Sequence, residues 1–427
     1  MAQIAVKKGN QEVRRAAGMF DPELSAQYST KNYDNKSYYD KLLGGLTIPS
    51  WYGPDFILSY ESAAGNYINP ENNLPNNGLV SAGINLPLGQ GLFIDKRRAA
   101  YKQSEIFEKI SEVEQIRILS DLYLEATNQY WEWAASYNKV KITETALNVT
   151  KNRFSAIKQA FIQGDIAAID TLEAYLQLLN LEINYQSAKN DYFNQSMMLS
   201  TFLWNENQMP LELSSTTIPQ ISSIFETPDF GIFERYKKDI DSLVSVHPEV
   251  TVYDLKIEQL DVERDLKLDL LKPKLNLKYN FLNQALNPLN SSFELNTNNN
   301  FKFGIDFNMP LFLRTERSEL ELANLKLLET ELERKNKTLQ LKYKAITSLN
   351  ELEILINQYK FFFDAVNSYQ ILFETEKIKF DIGESSQFLI ISRENSLLNA
   401  KIKQIELYSK ILSKFASVKW SLGIIAK

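Results

Sequence analysis

The chain has 427 residues, of which 44% are hydrophobic and 23% are charged, and this composition argues against a disordered protein. Its formal net charge of −6 argues against general nucleic-acid binding, so we predict no nucleic acid among its partners. Cysteine is absent and His247 is the only histidine, which excludes disulfides, thiolate sites and a histidine-based triad or metal site within one chain. We therefore predict no catalytic residue, no bound metal and no cofactor, and we predict that the chain is not an enzyme.

The N-terminal segment MAQIAVKKGNQEVRRAAG favours a helix up to Gly18 but lacks the apolar core of a signal peptide. No other stretch approaches the ~20 apolar residues of a transmembrane helix. Either the protein stays in the cytosol, or the sequence starts after a removed leader. A lipid-bearing cysteine before Met1 stays open in the second case.

The remaining elements are predicted from proline, glycine and apolar spacing. Two unusually long, proline-free stretches have apolar residues at three- and four-residue spacings, which is typical of coiled coils. Each would span roughly 100 Å as a straight helix. In chain order we predict a strand at 24–29, an insertion at 31–75, a strand at 80–86, helices at 95–162 and 166–203, a linker at 205–247, a helix at 248–271, strands at 275–281 and 301–309, and helices at 315–380 and 387–422.

The chain has a weak internal repeat, which is carried by four matches in a fixed order. Asp21-Pro22-Glu23-Leu24 resembles Lys272-Pro273-Lys274-Leu275, and "NLPL" at 85–88 resembles "NMPL" at 308–311. "FIQG" at 161–164 resembles "FDIG" at 380–383, and Leu203-Trp204 resembles Lys419-Trp420. We therefore predict a first repeat at 1–204 with a helical turn at Gly164, a linker region at 205–247, and a second repeat at 248–427 with a β-hairpin at 274–311 and a helical turn at Gly383.

The predicted strands have one apolar and one polar side, because their residues alternate with period two. We expect the apolar side of the second hairpin to face lipid, at Tyr279, Phe281, Phe301, Phe303 and Phe307. We expect the polar side to face a watery lumen, at Asn276, Lys278, Asn280, Lys302, Asp306 and Asn308.

Two hairpins supply at least four strands per chain, and four strands do not close a barrel. Left open, their edges would aggregate. Three chains would supply ~12 strands, enough for a transmembrane barrel in which every backbone group is paired. The alternative is a soluble antiparallel sheet that packs on one side, and the length of the helices disfavours it.

These residues resemble the TolC-like outer-membrane channels, also called outer membrane factors. The motifs are the repeat, the strand-to-helix joints "NLPLGQG" and "NMPLFLR", Arg153-Phe154, and "FIQGDIAAIDTLEA" with Gly164, Asp170 and Leu172. The resemblance implies an α+β membrane protein, a homotrimer whose 12-stranded outer-membrane β-barrel continues into an α-helical coiled-coil barrel in the periplasm of a Gram-negative cell. It also implies that the helical tips dock a periplasmic adaptor protein, which links the channel to an inner-membrane pump.

The tips depart from the family pattern at the second hairpin. Two carboxylates, an arginine and a tyrosine of the best-known members are replaced by Leu389, Ser392, Ser385 and Phe380. The acidic residues that remain near the tips are Asp170, Glu173 and Glu384. Arg393 is a basic residue nearby. We hypothesise a constriction with Phe388 or Leu389 facing inward, which could gate by dewetting; the alternative is that both are ordinary coiled-coil core residues.

The sequence therefore predicts an exit duct for passive transport from periplasm to exterior, in a tripartite efflux pump or a type I secretion system. The competing function is a non-transport periplasmic adaptor or cell-surface scaffold. An adaptor would carry one helical hairpin flanked by lipoyl-like β segments, whereas this chain has two hairpins. The cargo stays open, because a wide aqueous tunnel needs no substrate pocket.

Overall fold

The computed structural model describes residues 2–70, 73–214, 216–220, 231–284 and 300–425, without the side chains of 231–234. Fourteen elements follow one another along this part of the chain. In order they are α1 (Ala2–Ala17), a 3₁₀ turn (Gly18–Phe20), β1 (Glu23–Tyr33), β2 (Lys36–Pro49), β3 (Asp55–Ala64), β4 (Leu79–Pro87), α2 (Lys96–Gln163), α3 (Ala168–Ser200), α4 (Gly231–Ser245), α5 (Pro248–Asp269), β5 (Lys274–Gln284), β6 (Phe301–Asn308), α6 (Arg314–Asp381) and α7 (Gln387–Ser421).

The strands form one antiparallel sheet whose order follows the chain, from β1 to β6. β1, β3 and β5 begin, and β2, β4 and β6 end, at the edge of the sheet where α2, α5 and α6 attach; we call this the helix end and the opposite edge the outer end. At the outer end, Asp34 and Asn35 join β1 to β2 with φ of +52° and +55°, as a two-residue hairpin turn with positive φ at both positions requires.

The sheet has six strands in the described part of the chain, two more than the minimum of four counted from the sequence. The insertion at 31–75, predicted only as an insertion, contains β2 and β3, which pair with each other residue by residue from Asp40–Ala64 to Pro49–Asp55. The barrel of 12 strands in three chains rested on the lower number, and three copies of this sheet would supply 18 strands. Period two was hidden because Leu42-Leu43 and Gly44-Gly45 place like residues on both faces.

The helices agree with their predicted positions to within a few residues. α2 and α6 each have 68 residues without interruption. Pro248 begins α5, as predicted, and the preceding His247 is buried with a ring nitrogen 3.1 Å from the Trp420 carbonyl oxygen. The predicted linker region at 205–247 contains α4. None of the helices in the described ranges is both long and apolar enough to cross a membrane.

The structure consists of two compact units, and each draws on both predicted repeats. The first comprises Met1–Ile116 and Pro248–Asn336, and it contains the whole sheet. The second comprises Arg117–His247 and Lys337–Lys427, and it contains both helical turns. The repeat boundaries at 204 and 248 stay a prediction.

The core of the second unit is built by apolar side chains at helical spacing. Leu147 of α2, Leu181 of α3 and Leu398 of α7 form one buried cluster. Val366 of α6 joins α7 through Leu397 and Ala400. Three helices, α2, α3 and α6, are thereby held against α7.

Candidate functional site

The sheet has one apolar and one polar face, and the strand registers place each residue on one of them. Directly opposed residues of neighbouring strands share a face, so a row can be followed across all six strands. The row that contains Phe301 is Leu24, Leu46, Leu58, Ala82, Phe281 and Phe301. Five of these six side chains are large and apolar.

The apolar face continues on both sides of that row and is exposed to solvent in one chain. Phe303 is 52% and Phe307 is 67% exposed, although they belong to the largest apolar side chains. The face includes all five residues predicted to meet lipid and extends onto β2 and β3 through Leu42, Ile48, Phe56 and Tyr60. A sheet with such a face needs an apolar environment to cover it.

The polar face carries small and charged side chains. It includes all six residues predicted to face a lumen, and Lys278 forms an ion pair with Asp306 at 2.6 Å. Ser59 and Ser81 of neighbouring strands lie with their hydroxyl oxygens 2.6 Å apart. A concavity of about 830 Å³ is lined mostly by residues of this face, among them Gln27, Lys41 and Lys302. The sheet therefore curves with its polar face inside.

The turn between β2 and β3 is fixed at the helix end by aromatic contacts. The Trp51 ring stacks on the Phe20 ring, with ring centroids 3.7 Å apart. It also makes a T-shaped contact with the Tyr101 ring of α2, with ring centroids 4.7 Å apart. Arg97 of α2 bonds Asp55, the first residue of β3, at 2.9 Å. We call the residues Phe20, Trp51, Asp55, Arg97 and Tyr101 the joint cluster.

A second set of contacts closes the same end between β4 and β5. Asp269, which is 2% exposed, accepts a hydrogen bond of 2.6 Å from the Gly91 N–H and pairs with Lys272. Arg98 donates to the carbonyl oxygens of Gly91 and Leu92. The motif "NLPLGQG" is thereby explained, because its backbone supplies the donors and acceptors that join strand to helix.

The helical turns reverse the chain at glycines with left-handed backbone. Gly164 has φ of +87° and Gly383 has φ of +82°, values that other residues rarely adopt. No atom lies within 4 Å of where a Cβ would stand at either position, so only the backbone conformation demands glycine. Asp170 and Glu173 lie at the start of α3.

The second turn has a polar network that the sequence did not reveal. Ser385 donates to Glu376 of α6 at 2.5 Å, and Arg393 of α7 lies 3.6 Å from the other oxygen of that carboxylate. Phe388 is 63% and Leu389 is 39% exposed at the start of α7. Phe380 and Glu384 flank Gly383, and the Glu384 N–H donates to the Lys379 carbonyl.

A buried ion pair joins α2 to α7 above the turns. Arg153 holds Glu394 through two hydrogen bonds of 2.5 and 3.0 Å, and their side chains are 19% and 9% exposed. One residue further on α7, Asn395 exchanges amide hydrogen bonds with Gln177 of α3. The sequence indicated Arg153 but not Glu394, because a partner 241 residues away leaves no local signal. It also did not indicate Glu376, whose partners Ser385 and Arg393 lie on the other side of the helical turn.

Comparison with solved structures gives high similarity over the whole chain. The outer membrane protein VceC from Vibrio cholerae matches with a TM-score of 0.70 and 16% identity, covering 99% of this chain and 92% of VceC. The CmeC outer membrane channel from Campylobacter jejuni has a TM-score of 0.67 and 14% identity, covering 99% and 82%. The open state of the MtrE outer membrane channel from Neisseria gonorrhoeae matches with a TM-score of 0.67 and 12% identity, covering 100% of this chain and 86% of MtrE.

The chain has the fold of the TolC-like outer-membrane channels. The resemblance inferred from its motifs is confirmed at the level of the fold. No protein-family model matches the chain, and no curated protein matches its sequence. The named neighbours are channels and not enzymes, in agreement with the prediction.

Trp51→Ala tests whether the joint cluster stabilises the sheet. We expect the free energy of unfolding in detergent to fall by about 1–3 kcal/mol, because two aromatic contacts are lost. The matched control is Tyr52→Ala, whose side chain is 88% exposed and which should change stability by less than about 0.5 kcal/mol. Urea titration followed by circular dichroism measures both, and equal losses would contradict the role of Trp51.

Glu394→Ala tests the buried ion pair. The variant leaves the Arg153 guanidinium without its partner, and we expect a loss of about 2–3 kcal/mol in the free energy of unfolding. Replacing Arg153 and Glu394 together by methionine should recover most of that loss. Glu406→Ala removes a half-exposed pair with Lys403 and should cost no more than about 0.5 kcal/mol. Equal losses of stability in the Glu394→Ala variant and in the double methionine variant would contradict a cost from the unpaired Arg153 charge.

Proposed function

We propose that three copies of this chain form an outer-membrane channel that passively carries cargo from the periplasm to the exterior of a Gram-negative cell. The observation that carries the proposal is the curved sheet with an apolar convex face and a polar concave face, in a chain with the fold of outer-membrane channels. In a closed barrel the convex face would meet acyl chains, and the concave face would line water.

The proposal requires more than one copy, because the sheet of one chain ends in two edge strands. Within hydrocarbon every backbone N–H and C=O needs a partner, so an open sheet is excluded there. Identical copies can supply those partners in a closed ring. The copy number of three rests on the resemblance to the TolC-like channels.

The partners we propose are a periplasmic adaptor protein and, through it, an inner-membrane pump or type I secretion system. The helical turns support this role, since they expose apolar side chains that a single chain leaves uncovered. Ile162 is 66%, Ile169 is 66%, Leu172 is 56% and Ile382 is 64% exposed. Such side chains at helical spacing suit a partner that docks helix against helix.

Reconstitution of the full chain into planar bilayers tests the function. We expect insertion, ion conductance and a heat-sensitive trimer on gels. A soluble protein that neither inserts nor conducts would contradict the proposal and favour a coiled-coil scaffold or adaptor.

A pair of neighbouring lysine substitutions tests which face meets lipid. Phe303→Lys puts a charge on the apolar face and should cost about 2–4 kcal/mol of membrane stability near the midplane. Gly304→Lys puts the same charge on the polar face, where no atom lies within 4 Å of an added Cβ, and should fold normally. Folding into lipid vesicles, read from the heat-modifiable gel band, compares them. The reverse order of tolerance would show that the faces are assigned wrongly.

Leu389→Ala tests the proposed apolar constriction. A smaller side chain would let water persist between the tips, so we expect the open probability of single channels to rise. Leu372→Ala is the matched control, because Leu372 is similarly exposed (44% against 39%) but lies further from Gly383. Unchanged open probability and ion selectivity in Leu389→Ala would favour an ordinary coiled-coil role.

A further inference from the structure

The two edges of the sheet are complementary in direction. In the described part of the chain, β1 pairs with β2 alone and β6 pairs with β5 alone. β1 runs from the helix end to the outer end, whereas β6 runs back to the helix end. The β1 edge of one copy can therefore continue the antiparallel sheet at the β6 edge of another.

The outer boundary of the apolar face moves regularly across the sheet. We take this boundary as the last large or branched apolar residue before the first polar side chain outward. It is Tyr28 on β1 and Leu42 on β2, which lie opposite each other, and Tyr38 lies beyond Asp40 where the register shifts. On β3 and β4 it is the opposed pair Tyr60 and Val80, two residues nearer the helix end. On β5 and β6 it is Phe281 and Phe301, two residues nearer again. The next residues outward on this face turn polar, at Thr30, Asp40, Ser62 and Asn283.

This progression has the size that a membrane barrel requires. The boundary shifts by two residues from β2 to β3 and by two more from β4 to β5. This is about one residue per strand. With about 3.4 Å per residue and about 4.8 Å between strands, the boundary is level when the strands tilt by about 35°. Closed barrels tilt their strands by roughly 35–45°. The apolar face thus forms a level belt when the strands tilt as they do in closed barrels.

The hairpin β2–β3 follows this progression and is fixed at its base. Its boundary residues Leu42 and Tyr60 occupy the steps expected between β1 and β4. At the helix end, its turn is held by the joint cluster through Trp51 and Asp55. A hairpin that projected away from the membrane wall would need neither feature.

We propose that β1 of one copy pairs with β6 of the next, and that the β2–β3 hairpin is part of the membrane wall. This rests on the proposed function, in which three copies close the channel; the barrel then has 18 strands. Continuing the two-residue step across the junction sets Tyr28 opposite Phe303, and Leu24 opposite Phe307, of the neighbouring copy. On the polar face, the same register sets Gln27 opposite Gly304 and Glu23 opposite Asn308.

The ends of both edge strands agree with this register. β1 begins at Glu23 and β6 ends at Asn308, so the junction starts at the helix end without an unpaired overhang. Barrel diameter grows roughly linearly with strand number, so the opening is about 1.5 times as wide as with 12 strands. Barrels of 16–18 strands leave an aqueous channel, so the membrane segment admits bulky cargo and selection falls to other parts of the molecule.

Disulfide crosslinking of the full-length protein in membranes tests the junction. The chain has no cysteine, so introduced pairs are the only thiols. Gln27→Cys with Gly304→Cys should crosslink between copies under mild oxidation and give covalent dimers and trimers on denaturing gels. Gln27→Cys with Asn308→Cys, four residues out of register, should stay near background. Crosslinking of the second pair but not the first would overturn the register.

A second set of pairs tests the place of the hairpin within one chain. Ser59→Cys with Ser81→Cys should form an intramolecular disulfide, since these residues are directly opposed. If the hairpin lay outside the wall, β1 would instead pair with β4. Ser25→Cys would then crosslink with a cysteine at one of Leu79, Ser81, Gly83 or Asn85. In the proposed wall, Ser25 and Ser81 lie three strand spacings, about 14 Å, apart, and these pairs stay reduced.

Electron microscopy of the reconstituted protein separates this inference from the proposed function. A membrane-inserted trimer with 18 strands supports both. A conducting trimer with 12 wall strands and an excluded β2–β3 hairpin overturns the inference and leaves the function intact. A soluble single chain overturns the function itself.

Discussion

The need to pair backbone groups governs this molecule. The strands present one exposed apolar face, and an apolar environment offers no water to satisfy the N–H and C=O groups of β1 and β6 at the edges of the sheet. In the described part of the chain both edges are open, and in the proposed channel further copies supply the missing backbone partners. The helices also leave apolar surface uncovered, since the side chains of Leu325, Leu332 and Leu339 of α6 remain about half exposed.

Much of the architecture could be predicted from the sequence because it depends on local signals. Pro248, Gly164 and Gly383 mark where helices begin or turn, and the period-two pattern of Phe301–Phe307 defines β6. The strands β2 and β3 were not predicted, because Leu42-Leu43 and Gly44-Gly45 obscure the period-two alternation. The Asp34-Asn35 turn was a usable signal, since both residue types tolerate left-handed backbone better than most others.

In the candidate site, too, the local features could be predicted from the sequence and the long-range contacts could not. Which residues of β5 and β6 share a face followed from alternation, and the register of the strands agrees with it. The partners of Arg153 and Arg393 did not follow, because Glu394 meets Arg153 only after α7 folds back along α2. Interactions of this kind depend on packing between distant helices, and the apolar clusters around Leu181 and Val366 bring them together.

The glycine turns have a consequence for how such proteins diversify. Because no atom lies within 4 Å of where a Cβ would stand at Gly164 or Gly383, the backbone conformation alone demands glycine at each reversal. Exposed neighbours such as Ile162 and Ile382 can therefore be exchanged without disturbing the return path of the chain. In the proposed channel, evolution can thus adapt these ends to a new docking partner while the rest of the scaffold stays unchanged.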